Sequence, residues 1–445
     1  MAGATAVGVA VRAFYVVVAY RDGHEPAGDA LTYHLLARLL ADGQGYVRPL
    51  DLIVNGRSVP SAEFPPLWPV LLAIADLFGL ESATTHRLIG ALLGGVTIVL
   101  VAFTARLLAG PVAGPMAGAA AAALTALHPQ LVALDGGLMA EAALLPLVAL
   151  ALLLAATAVQ HRPGGRRGVA VLAGLGTVVA LAALTRSEAV LLVPALAVPV
   201  AVVAGPGGAR ARLGRLVVVL LPVVLLLGSW TVRTATRLDA VVPLTTNNGT
   251  LLAGANCNEV YAGARTGQWS LRCATASLDD PITDEAAAAA SMRRAGLRYA
   301  GGHADRAPMV ATVRVLRTFG AWDVSGQLRY ESFEGRPYGW LWAGWLVHLV
   351  VVLLAVVGAV SLRRRRRPLW LLLVPVGVVV ATAAIAYGNQ RFRALAEPSL
   401  LVLAGTGAAA LLATRPTAQA SVPTTSEERR REPVNAVTSS ILNRS

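Results

Sequence analysis

The chain has 445 residues, 56% of them hydrophobic and only 14% charged. Soluble domains carry about a quarter charged residues, so an ordinary soluble enzyme is excluded, and two cysteines exclude a disulfide-dense fold or a Cys-rich zinc module. The formal net charge is +13 and all 38 basic residues are arginine, a skew that fits a GC-rich genome; no run of them reads as a nucleic-acid module.

A bilayer core takes about 20 apolar residues per helix. Stretches that qualify are 3–20, 87–108, 112–128, 138–159, 168–185, 188–204, 214–233, 339–361, 369–387 and 395–413, about ten spans. The first holds Arg12 and lacks both a charged head and a small-residue cleavage site. It reads as an anchor rather than a removed signal peptide, with a start that can lie further upstream.

Arginines in short loops mark the cytoplasmic side. Three fall within 161–167, three within 210–215, five run unbroken from Arg363 to Arg367, and Arg429, Arg430 and Arg431 follow in the tail. Placing these inside puts 21–86, 128–137, 234–338 and 388–394 outside, with both termini cytoplasmic. Phe64–Leu80 is apolar but short and rich in proline at its start. A crossing there would turn the five-arginine run outward, so it is expected to lie as a juxtamembrane or re-entrant helix.

The loop 21–86 contains Asp29–Leu40, whose apolar residues at 31, 35, 36, 39 and 40 form a helical stripe. Asp29 opens it, a position where aspartate commonly caps a helix. The segment 234–338 has strand- and turn-like pieces at Val241–Thr246 and Asn247-Asn248-Gly249. Helical patterns follow at Thr283–Tyr299 and Ala307–Phe319, which together predict a small extracytoplasmic α/β domain. Cys257 and Cys273 both fall there, in an oxidising compartment, and are expected to pair. Residues 414–445 are polar and proline-rich and are expected to be a disordered cytoplasmic tail. The domains are therefore 1–233, 234–338, 339–413 and the tail.

Arg186, Arg233, Arg237, Arg391 and Arg393 stand at the outer ends of helices. One such arginine commonly snorkels; several from distant stretches predict an anionic head group, because guanidinium forks match phosphate. Asp29, Glu63, Asp135, Glu141 and Glu188 lie near the same face. Glu141 opens an apolar helix, as a functional carboxylate or as one favoured by the helix dipole. His128 and His303 are weak metal-ligand candidates.

In this order the segments GDALTYHLLARLLADGQGY, EFPPLWPVLLA, LMAEAALLPLVALALLL, LTRSEAVLLVPAL, GSWTVRTATRLD with PLTTNNG, and YGNQRFRALAEP resemble polytopic GT-C glycosyltransferases that use polyprenyl-phosphate sugars. These include the protein O-mannosyltransferases and aminoarabinose transferases. The resemblance covers roughly residues 1–410. It implies an all-α polytopic membrane fold and transfer of a sugar to an acceptor hydroxyl of a glycan, lipid or protein at the outer face of a bacterial plasma membrane. It implies Asp29 as catalytic base and Glu63 as a second acidic residue. Arg391 and Arg393 would hold the lipid phosphate, with Arg186, Arg233, Glu141 and Tyr33 around the donor. Ala30 after Asp29 departs from the paired acids of many members, so no cofactor is implied with certainty and a divalent metal stays open. A polytopic transporter, or a polymerase or ligase using a diphosphate-linked lipid, are the competing readings.

Overall fold

A computed structural model describes residues 1–21, 26–276 and 284–413; the tail 414–445 and Thr283 lie outside the described residues. Among the described residues, six helices are long and apolar enough to cross a membrane: Ala2–Ala19, Ala83–Leu127, Glu141–His161, Gly165–Ala183, Ala209–Arg237 and Tyr338–Arg364. The 45-residue Ala83–Leu127 holds two of the expected spans. Gly110 breaks it with φ 83°, a conformation glycine adopts at little cost. Gly114 and Gly118 then lie against the carbonyls of Arg106 and Ala102, so the two legs run antiparallel. The shorter apolar helices Ser187–Val203, Trp370–Ile385 and Glu397–Ala413 occupy the other three expected spans. The chain is a multi-pass membrane protein.

Leu67–Asp76 has ten residues and rises about 15 Å, half of a bilayer core. Its Trp68 and Leu72 are fully buried in a cluster with Tyr33 and Ala37 of the helix Asp29–Ala41. A buried chain of side chains holds this pair against the first hairpin leg: His34 Nδ1 is 3.1 Å from His86 Nδ1, and His86 Nε2 is 2.6 Å from Asp76 Oδ1.

Between spans the hydrophobic effect gives little, so close backbone approach and polar contacts hold the bundle. Gly358 and Gly407 place Tyr338–Arg364 and Glu397–Ala413 in direct backbone contact, each glycine facing a carbonyl of the other helix. Arg12, fully buried, pairs through Nε with Asp135 at 2.6 Å. Its other nitrogens donate to the carbonyls of Gly8, Ala126 and Thr125.

The segment 234–338 differs from the α/β domain expected for it. Its described residues form the helices Asn248–Ala255, Asn258–Tyr261, Leu271–Thr275, Glu285–Gly302, Ala307–Thr318 and Val324–Ser332, with no strand among them. Val241–Thr246 is an irregular stretch with bends at Pro243, Leu244 and Thr246, and its backbone is already engaged. The carbonyls of Val242, Pro243 and Leu244 accept from Thr234, Thr231 and Trp230, and the Thr246 amide donates to Ala62. No ladder partner is therefore needed. Cys257 and Cys273 form a disulfide within this segment.

Candidate active site

Three stretches far apart in sequence converge on the guanidinium of Arg391. Arg391 lies in a 3₁₀ turn, Gln390–Leu395, opened by Asn389, whose side chain accepts from the Arg391 amide at 2.8 Å. Nη2 of Arg391 donates to Asp29 Oδ2 at 3.0 Å. Nε lies 2.9 Å from Glu141 Oε1, and Nη1 lies 3.7 Å from Glu334 Oε2. Nη1 also contacts the Met139 sulfur at 3.5 Å.

Asp29 does not cap its helix. The helix begins at Asp29 itself after Gly28, which has φ 58°, and no side chain caps it. The carboxylate is turned to Arg391 and is about one-third exposed, whereas Glu141 is buried. Glu141 opens its span just after a tight turn in which Leu138 adopts φ 60°. Left-handed backbone is uncommon for leucine, and strain of this kind gathers at functional sites. The turn sets Met139 and Glu141 toward Arg391.

Arg186 shares the same carboxylate oxygen. Its Nη1 is 2.6 Å from Glu141 Oε1, its Nε 2.5 Å from Glu188, and it lies 5.3 Å from the centre of the Phe392 ring. Tyr33 is buried within reach of the charges of Asp29, Glu141, Arg186 and Arg391; burial, then Asp29, hold its hydroxyl well above the usual tyrosine range. Glu63 lies nearby. Burial first, then the charge of Glu285, push its carboxyl up to about 7, and Asp29 contributes in the same direction.

Arg233 and Arg393 are not brought into this cluster. Arg233 donates to the carbonyls of Ser61 at 2.5 Å and Tyr46 at 2.6 Å, and lies over Tyr46 and Trp230. Arg393 is fully buried and bonds Glu397 at 2.6 Å, the Thr318 carbonyl at 3.1 Å, and Gln130.

The sequence reading did not single out Glu334, Arg336 or Asn389. Glu334 accepts from Asn389 at 2.9 Å and Arg336 at 2.7 Å. Although burial opposes ionisation, Arg391 and Arg336 together hold Glu334 below the usual carboxylate range. The three sit in polar stretches that hydropathy ignores, and their roles appear only once the segment 234–338 folds back.

The cluster can bind an anion through two guanidinium groups and offers a partly exposed carboxylate beside them. A family model described as dolichyl-phosphate-mannose-protein mannosyltransferase matches residues 63–232. The Archaeoglobus fulgidus oligosaccharyltransferase in its apo form has a similar structure, with TM-score 0.51 and 13% identity over 92% of this chain and 50% of that one. The archaeal oligosaccharyltransferase AglB from Archaeoglobus fulgidus, in complex with an inhibitory peptide and a dolichol-phosphate, gives TM-score 0.50, 13% identity, and 92% and 50% coverage. ArnT from Cupriavidus metallidurans bound to undecaprenyl phosphate gives 0.43, 17% identity, and 92% and 78% coverage. The chain spans about half the length of the oligosaccharyltransferase. No curated protein matches it.

Proposed function

We propose, starting from the GT-C fold that this chain has, that it is a membrane glycosyltransferase. In this reading it transfers a sugar from a polyprenyl-phosphate donor to an acceptor hydroxyl at the extracytoplasmic face. The observation that carries this is one guanidinium, Arg391, shared by Asp29 and Glu141 with Arg186 alongside. The description of the matching family model and the dolichol-phosphate of the archaeal relative support a lipid-phosphate donor.

A polyprenyl phosphate leaves readily as an anion, so no acid need protonate it, unlike the alcohol leaving group of a glycosidase. One base and cationic support for the departing phosphate suffice. Asp29 takes the proton of the acceptor hydroxyl; the acceptor oxygen bonds to the anomeric carbon as the bond to the phosphate oxygen breaks, with inversion. Arg391 and Arg186 hold the phosphate. In the free chain the Nη2 of Arg391 is occupied by Asp29. Phosphate taking that donor would release the carboxylate to the acceptor, so donor binding arms the base. Glu63, whose carboxyl is pushed up toward neutral pH by burial and Glu285, orients sugar or acceptor by hydrogen bonding. The apolar spans below the site take the prenyl chain, and the segment 234–338 covers the site and selects the acceptor.

Purified chain with a polyprenyl-phosphate sugar tests this. Asp29→Asn should lower transfer by a factor of about 10² to 10⁴, the usual contribution of a general base, while lipid binding persists. Arg391→Ala should weaken lipid-phosphate binding about tenfold or more, the loss of a charge-assisted contact. Full activity in the first variant, or unchanged affinity in the second, would overturn the assignment.

A further inference from the structure

About the turn that carries Arg391 lies a second cluster that the proposed chemistry does not use. His128, at the junction of the first hairpin and Pro129–Gly136, His348 in Tyr338–Arg364 and Glu397 at the head of Glu397–Ala413 are all buried. They offer two ring nitrogens and a carboxylate oxygen within 4.8 Å of one another. Among the described residues, neither ring nitrogen of His128 nor of His348 has a hydrogen-bond partner, and neither does Glu397 Oε2. Orphaned buried polar atoms are rare, and each calls for an explanation. Three side chains with orphaned polar atoms, each bringing one donor atom into one small volume, call for a guest.

The geometry points to a divalent transition-metal site of the zinc class, with His128, His348 and Glu397 as ligands. Two imidazoles and a carboxylate make the borderline nitrogen and oxygen set that zinc and its neighbours take, with the fourth position left to solvent. Tetrahedral donors around zinc stand about 3.3 Å apart, so ring rotation and small shifts close the set. Glu397 is held for this by Arg393, whose Nε bonds Oε1 at 2.6 Å; the same Oε1 lies 3.8 Å from His348 Nδ1, and Oε2 has no hydrogen-bond partner. Such outer partners commonly fix a ligating carboxylate. Because Arg393 already neutralises Glu397, the cation brings uncompensated charge into an apolar interior, and its affinity falls below that of thiolate sites. Its role is structural. It ties three helices to the residue that anchors the Gln390–Leu395 turn, and so fixes Arg391 from behind. This inference is independent of the sugar-transfer reading.

The test uses the full chain in detergent, with any affinity tag removed and metals stripped by chelator. After exposure to zinc and desalting, mass spectrometry of the elements should find about one metal per chain. Substitution with cobalt(II) should give the visible absorption of a four-coordinate nitrogen and oxygen site. His128→Ala and His348→Ala should each lose at least tenfold in retained metal, while Arg391→Ala, outside the ligand set, keeps it. If a histidine variant fails to fold, the cobalt spectrum and X-ray absorption of the unaltered chain still count the imidazoles. A folded chain that retains no zinc and gives no cobalt spectrum overturns the inference, as does metal retained in both histidine variants.

Discussion

Glu63 shows how much one side chain can reveal about its surroundings. Its carboxyl is raised to about 7 by burial and by Glu285, so the folded chain keeps a proton there that the unfolded chain has lost. Linkage then gives the sign: the contribution is fully present below about pH 4.5 and is lost as pH rises toward 7. Glu63→Gln should therefore melt increasingly above the parent as pH rises from 5 to 8. The gain has a ceiling of about 3 kcal/mol at the upper end. Thermal unfolding in detergent across that range checks it; a difference that does not vary with pH would mean that Glu63 ionises freely. Arg12 gives the opposite case. It satisfies Asp135 and three carbonyls at once, and Arg12→Leu would leave Asp135 buried and unpaired, at a cost of about 3–5 kcal/mol. Asp135→Asn in the same background should recover part of the loss in melting temperature.

At the scale of elements, what hydropathy can register was legible. All ten expected spans have a helical counterpart, because twenty apolar residues bound by arginine loops leave few alternatives. The joining of 87–108 and 112–128 into one hairpin around Gly110 is a matter of backbone angle that hydropathy does not report. The helical character of 234–338 was also not legible. Val241–Thr246 has strand-like composition, but whether such a stretch pairs with a strand depends on what else satisfies its backbone. Here Trp230, Thr231 and Thr234 do so. The glycine contacts make a sharper test of the bundle. A side chain at Gly358 would meet the Leu403 carbonyl, and one at Gly407 the Leu354 carbonyl. Gly358→Leu should thus force Tyr338–Arg364 and Glu397–Ala413 apart and lower stability by about 1–3 kcal/mol or more, whereas the same change at Gly377, which faces open space, should be tolerated. Equal melting temperatures for the two would argue against close packing at Gly358.

At the scale of the whole molecule, the segment 234–338 is fastened to the first polar loop at Ala62 and at Glu63, whose carbonyl accepts from the Thr245 hydroxyl. Glu285 accepts from the Ala62 amide at 2.8 Å and from Thr246 at 2.6 Å, and the Thr246 amide donates to Ala62. Glu285→Ala should loosen this joint. Amide exchange around residues 245–256 should quicken by tenfold or more while the spans stay protected, since removing a charged acceptor from a buried donor costs about 1.5–3 kcal/mol. Unchanged exchange would mean that other contacts hold the segment. The candidate site was legible as a set of charges expected on one face, but not as a geometry. Side-chain direction separates Arg391, which meets Asp29 and Glu141, from Arg393 two residues later, which turns into the core. Glu334 enters through Arg336 and Asn389, contacts that only the folded segment creates.

The ion pair between Asp29 and Arg391 spans 362 positions of chain, and that separation sets a schedule for biosynthesis. A ribosome delivers Asp29, Glu141 and Arg186 well before Arg391, so Asp29 emerges long before the guanidinium that faces it in the folded chain. Until Gln390–Leu395 has been made, Glu141 can already pair with Arg186, whereas Asp29 lacks the guanidinium it meets in the folded chain. On the proposed reading, a chain cut short before Arg391 would lack one of the two guanidinium groups assigned to the donor phosphate, however well its earlier helices assemble.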